Sequence, residues 1–182
     1  MSTMAITNTA TLSGERADLF QALANARHFL RFTAQGLNDE QASKRTTASE
    51  LTLGGLIKHV TGVEEQWQEF IVKGRAAMAW DGADFSQMPP EAIEAFHNEF
   101  RMQPGETLEA LLESYTQVAD RTDALLAKVD LDTVHELPSA PWFVDTHWSV
   151  RRTLLHIISE TTQHSGHADI IRESLDGQKS MG

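Results

Sequence analysis

The 182-residue chain contains no cysteine, which excludes disulfides, thiolate-bound zinc and a cysteine nucleophile. Any sulfur chemistry it performs has to use a thiol borrowed from a second molecule. Positive charge is also in short supply. Fifteen Lys and Arg stand against 26 Asp and Glu, a formal net charge of −11, which opposes nucleic acid and anionic membrane surfaces as partners. Long apolar runs are missing, since none approaches the roughly 20 residues of a membrane span. The opening MSTMAITNTATLSG has neither the basic n-region nor the apolar h-region of a signal peptide, so the expected location is cytoplasmic. Convincing strand alternation, internal repeats and low-complexity tracts are absent too.

Helical periodicity is present, four times over, and it predicts an all-α bundle. The length suits one domain with a single sizeable core: residues 1–12 are expected to be a disordered N-terminus, 13–177 the domain and 178–182 a tail. The first helix is predicted from about Gly14 to Gln35, with Leu19, Leu23, Ala26, Leu30 and Thr33 inward, Ser13 as N-cap and Gly36 as the stop. A short polar element, Asn38 to Ser43, leads to a second helix over Leu53 to Lys73, capped by Thr52. Between Gly74 and Gly105 the composition shifts to Gly, Pro, Met and scattered aromatics, which predicts a long crossover with one short helix near Pro90 to Phe100. A third long helix spans about Glu106 to Val129, with Leu108, Leu111, Leu112, Tyr115, Val118, Ala119, Thr122 and Leu126 as its apolar stripe. Asp130 to His147 is a second connection, and Ser149 opens a last helix that ends before Asp176 and Gly177.

That last helix carries the chemistry. In LLHIISETTQHSGHADIIRESLDG, Glu160 and His164 lie one turn apart and His167 a further turn along the same stripe. The apolar positions Leu154, Leu155, Ile157, Ile158, Ile170 and Ile171 are separate from that stripe. Facing helices of a bundle are where metal sites are built from inward side chains. His59, in LTLGGLIKHVTGVEEQW, is placed to add a ligand from the second helix. Neutral imidazoles with one carboxylate suit zinc, nickel, iron or manganese, and the spacing does not choose among them. Two histidines and one carboxylate leave positions open, as a catalytic metal requires.

The same two segments, LTLGGLIKHVTGVEEQW and SVRRTLLHIISETTQHSGHADIIRESLDG, resemble the DinB-like superfamily, and more narrowly its mycothiol transferase branch. The resemblance implies a four-helix bundle of DinB/YfiT type, ordered up, down, down, up with long crossovers. It also implies a metal triad of His59, Glu160 and His164, with mycothiol or a similar thiol as cosubstrate. Many relatives have histidine where this chain has Glu160, whereas the mycothiol-dependent maleylpyruvate isomerases resemble it in using glutamate. His167 is then either a further ligand or a group that orients one.

The expected function is a metal-dependent transfer of a low-molecular-weight thiol to a small electrophilic substrate, with a thiol-dependent isomerase as a variant. A divalent ion at the triad would lower the pKa of the thiol or of water. Trp142, Phe143 and Trp80 are placed to contact the electrophile. Two other classes compete: a closed structural metal shell that includes His167, and a binding bundle whose histidines hold no metal. A di-iron centre is excluded because only a Glu-x-x-x-His is present, not repeated Glu-x-x-His pairs. His156, His28, His97, His135 and His147 are expected to be structural. Trp67 and Trp148 are expected in the core or a pocket wall. Arg172 and Glu173 are expected on a solvated face, with Arg172 and Trp142 as alternatives for contacting a cofactor. The amphipathic first and third helices leave room for a homodimer, which the resemblance also implies.

Overall fold

The computed structural model describes residues 12–78 and 87–180. Within them the chain forms α1 (Glu15–Thr33), α2 (Asp39–Ser43), α3 (Leu53–Lys73), α4 (Pro90–Asn98), α5 (Leu108–Leu126) and α6 (Val150–Asp176). A 3-10 turn (Gly74–Ala77) follows α3, and two three-residue strands, β1 (Val134–Glu136) and β2 (His147–Ser149), pair antiparallel. Among the described residues the fold is all-α apart from this hairpin, which lies where the sequence predicts a connection. Three-residue strands are too short to show alternation, so periodicity gives no sign of them. No helix among the described residues is long and apolar enough to cross a membrane.

Helix starts follow the side chains that can satisfy free backbone N–H groups. Thr52 accepts from the Gly55 N–H at 3.1 Å to open α3, and Ser149 accepts from Arg152 N–H at 3.1 Å to open α6. Asn38 and Gln41 form a reciprocal capping box on α2. Helix α1 differs from expectation: Gly14 rather than Ser13 is its N-cap, with no side-chain hydrogen bond. Helix α6 ends where Gly177 takes the left-handed conformation (φ 82°) and its N–H reaches the Glu173 carbonyl at 2.9 Å.

The four long helices pack on one another. Glu15, Ala26 and Thr33 of α1 contact Arg151, Ser165 and Arg172 of α6 in the same running order. Arg16, Arg27 and Arg31 meet Leu126, Asp123 and Thr116 of α5 in reverse order. The predicted inner stripe of α1 is buried throughout. On α5, Leu111 and Leu112 are only partly buried, and on α6 Leu155 and Ile170 face outward, 46% and 60% exposed. Those two occupy the side of α6 away from α1 and α3.

The core falls into two clusters. One gathers Leu23, Trp67, Phe70, Trp148, Leu154 and Ile157, and the other Leu30, Leu56, Ile57, Val60, Tyr115 and Ile171. Arg27, which lies between Leu23 and Leu30, and Glu64, between Val60 and Trp67, meet where the clusters adjoin. Arg27 Nε donates to Glu64 Oε2 at 3.2 Å, a second nitrogen pairs with Oε1, and a third donates to Asp123 at 2.7 Å. Glu64 is fully buried. Burial works against the Arg27 charge, but the two carboxylates outweigh it and hold the guanidinium above its ordinary pKa. A buried charge needs such pairing, because an unpaired one is costly.

Candidate metal centre

His59 lies on α3 six residues past its start, and Glu160 and His164 lie mid-way along α6, with α3 packed on α6. The pairing is antiparallel. His59 meets His164 with ring centroids 4.9 Å apart, while Trp67, two turns further along α3, meets His156, two turns back along α6, at 4.8 Å. Antiparallel packing therefore turns a one-turn repeat on α6 and a single histidine on α3 into one cluster. One donor atom from each of His59, Glu160 and His164 lies within 4.8 Å of the other two, and all three residues are half-buried. No other group of three His, Cys, Asp or Glu side chains among the described residues does so.

The electrostatics suit a cation. Burial lowers the His59 pKa to about 4, with the neighbouring His164 adding to the effect, and burial followed by His167 lowers that of His164. Both rings are therefore neutral with free lone pairs at neutral pH. Burial raises the pKa of the Glu160 carboxyl, and no arginine pairs with it among the described residues. Its Oε2 stands 3.7 Å from His164 Nε2. Two donors on one zinc ion, each at roughly 2.0–2.2 Å, stand about 3–4 Å apart, so the pair needs little adjustment. The Nδ1 of His59 is buried with no hydrogen-bond partner. Such an orphan costs about 1–3 kcal/mol, and an ion in the cluster would satisfy it. The residues present thus fit a divalent metal.

His167 lies outside the three-donor set. Its Nδ1 is 3.4 Å from His164 Nδ1, on the ring nitrogen opposite the one facing Glu160. A cleft of about 250 Å³ opens beside His59, lined by Lys58, Gly62, Val63, Gln66 and Glu99. Of these, the sequence marks only Val63, as an apolar position on the His59 side of its helix; Glu99, just past α4, sits in a connection with no periodic signal.

The other histidines stay outside the cluster. His156 packs edge-on against Trp67 and 5.0 Å from Trp148; burial, then Arg152, lowers its pKa to about 4. His135 Nε2 is 3.1 Å from the Ile71 carbonyl oxygen, and His147 Nδ1 is 2.9 Å from Thr146 Oγ1. Trp67 and Trp148 are core residues stacked at 5.1 Å. Phe143 packs on Trp148 at 5.4 Å, Trp142 is 54% exposed beside Phe143, and Trp80 lies outside the described residues. Arg172 departs from the solvated face expected of it. It is 5% exposed, and its guanidinium donates to the Thr33 and Gln35 carbonyls at 2.8 Å and to Asp176 at 3.0 Å. A guanidinium has enough donors to cap the last carbonyls of α1, and that use draws it inward.

Fold and cluster together define an all-helical protein with a two-histidine, one-glutamate centre between antiparallel helices. Residues 18–177 match the family described as mycothiol-S-transferase, and the chain belongs to that family, a DinB-like one. Among solved structures it is similar to a conserved protein from Enterococcus faecalis, at 14% identity with a TM-score of 0.63, covering 92% of this chain and all of the other. That likeness speaks to the fold alone. No curated protein matches the chain.

Proposed function

We propose that the protein is a metal-dependent transferase that joins a low-molecular-weight thiol of the mycothiol type to a small electrophilic substrate, with His59, Glu160 and His164 holding the metal. The observation that carries the reading is the convergence of these three donors from two helices beside an open cleft. Three protein donors leave positions free for other ligands, which a catalytic metal needs and a structural one does not. The family supports the thiol, and the absence of cysteine means that the sulfur comes from outside the chain.

His59, Glu160 and His164 would hold a divalent ion, whose Lewis acidity would lower the pKa of a thiol toward neutrality. The remaining work belongs to the side chains. Burial keeps His59 and His164 unprotonated, so neither has to lose a proton before it can act as a ligand. His167 hydrogen-bonds the far side of the His164 ring and orients it, the arrangement that usually fixes a ligating imidazole. The core contacts on α3 and α6 hold the two helices at a set spacing. The running orders of the α1–α6, α3–α6 and α1–α5 contacts support the up, down, down, up order of the DinB/YfiT bundle.

Elemental analysis of the untagged protein tests the reading. Near-stoichiometric divalent metal is expected in the wild type and less than a tenth of it in His164→Ala, with unchanged helical circular dichroism. Metal-free protein after incubation with zinc, nickel and manganese overturns the mechanism. Unfolding of the variant would instead assign the metal a structural role.

A further inference from the structure

Two glycines in the first turn of α3 are out of place by propensity. Each costs roughly 0.8–1 kcal/mol relative to alanine inside a helix, and Gly54 and Gly55 are adjacent there. Space explains them. A Cβ on Gly55 would stand 1.8 Å from the Phe100 carbonyl oxygen, and one on Gly54 2.2 Å from Met102 Sδ. The chain leaving α4 therefore presses its backbone into a notch on α3 that only glycine leaves open.

Position 55 lies one turn before His59 on the same face of α3. Docking of the Phe100 carbonyl at Gly55 sets the Phe100 ring over the next turn, where it stacks on the His59 imidazole with centroids 4.0 Å apart and planes at 23°. The segment is tied down just beyond that contact. Lys58 Nζ donates to Glu106 at 2.7 Å and to the Arg101 carbonyl at 3.4 Å, and Arg101 pairs with Glu50 at 2.9 Å. Phe96 makes a T-shaped contact with the Phe100 ring at 5.5 Å.

A ligating histidine is ordinarily oriented by a hydrogen bond on its other nitrogen. His164 has such a partner in His167. His59 has no hydrogen bond on either ring nitrogen among the described residues. What confines its ring is the aromatic face above it.

We propose that Phe100, its carbonyl seated against Gly55, is a positioning residue that fixes the plane of the His59 imidazole and thereby sets the affinity of the metal centre. The inference rests on the metal reading given above. Groups that orient a ligand typically change metal affinity 10- to 100-fold, and stacking takes that role here.

Titration of the metal-free protein with cobalt(II) and nickel(II), followed by calorimetry and the visible absorption of the bound ion, tests it. Phe100→Leu is expected to weaken binding about 10-fold and to alter the absorption bands, while Phe100→Tyr, which keeps the aromatic face, stays within about 3-fold of wild type. Gly55→Ala displaces the segment without touching the ring and is expected to copy Phe100→Leu. In the metal-free protein the ring protons of His59 should resonate upfield in NMR spectra and move downfield in Phe100→Leu, a change that loss of general stability does not produce. Equal affinity in wild type and Phe100→Leu, or an unshifted His59 resonance in the wild type, overturns the inference while leaving the metal reading intact. A wild type that binds neither ion overturns both.

Discussion

At the scale of single residues, most of the candidate centre was legible because the ligand types are conspicuous on a helix. Glu160 and His164 stand out from the apolar positions of α6 by spacing alone, and His59 from those of α3. What spacing could not give is which ring nitrogen faces what, so the position of His167 behind His164 emerged only from the packed helices. The solvated face expected of Arg172 follows from its charge and the adjoining Glu173, whereas the carbonyls that draw it inward, those of Thr33 and Gln35, lie far away along the chain. His156 supports a prediction of its own. Its folded pKa of about 4 lies below the ordinary value of 6.5, so the unfolded chain takes up the proton first as pH falls. The native state therefore keeps its full stability above pH 6.5 and loses the His156 contribution as pH drops through the window down to 4. Denaturant unfolding of His156→Phe across that range should give a shallower slope than wild type. Some slope should persist, because His59 is shifted in the same direction.

At the scale of elements, the side-chain caps that open α3 and α6 were readable, as was the Pro90 start of α4, whereas the uncapped start of α1 was not. Thr52 and Ser149 sit where the sequence puts them, directly before an apolar-periodic run. Gly14 begins α1 with no side chain to announce it. The hairpin of β1 and β2 was invisible for want of length, although it fixes the entry to α6: Val150 N–H donates to the Thr133 carbonyl at 2.8 Å and Arg151 N–H to that of Leu131 at 3.0 Å. Capping has a measurable worth. Thr52→Ala should cost about 1 kcal/mol, seen as a lower urea midpoint with an unchanged m-value.

At the scale of the whole molecule, two apolar clusters and a paired charge layer hold the helices together without any ion. Removal of metal by a chelator is accordingly expected to leave the far-ultraviolet circular dichroism at 25 °C unchanged. Adding back ion at a hundred times its dissociation constant should raise the unfolding free energy by about 2.7 kcal/mol. A larger collapse on chelation would mark the site as part of the scaffold. Overall class was readable from periodicity, but the division of the core was not. It depends on Arg27, Glu64 and Asp123 converging from three helices, and no one-dimensional pattern records that.

This division gives the molecule a built-in pair of reporters. Trp67 and Trp148 belong to one cluster, whereas His59 rises from α3 among Leu56, Ile57 and Val60 of the other. With Trp80 and Trp142 replaced by phenylalanine, indole emission follows the loosening of one half, and ion uptake the integrity of its neighbour. When both are recorded along a single denaturant series, the gap between their midpoints measures how strongly the charged layer makes the two halves open together.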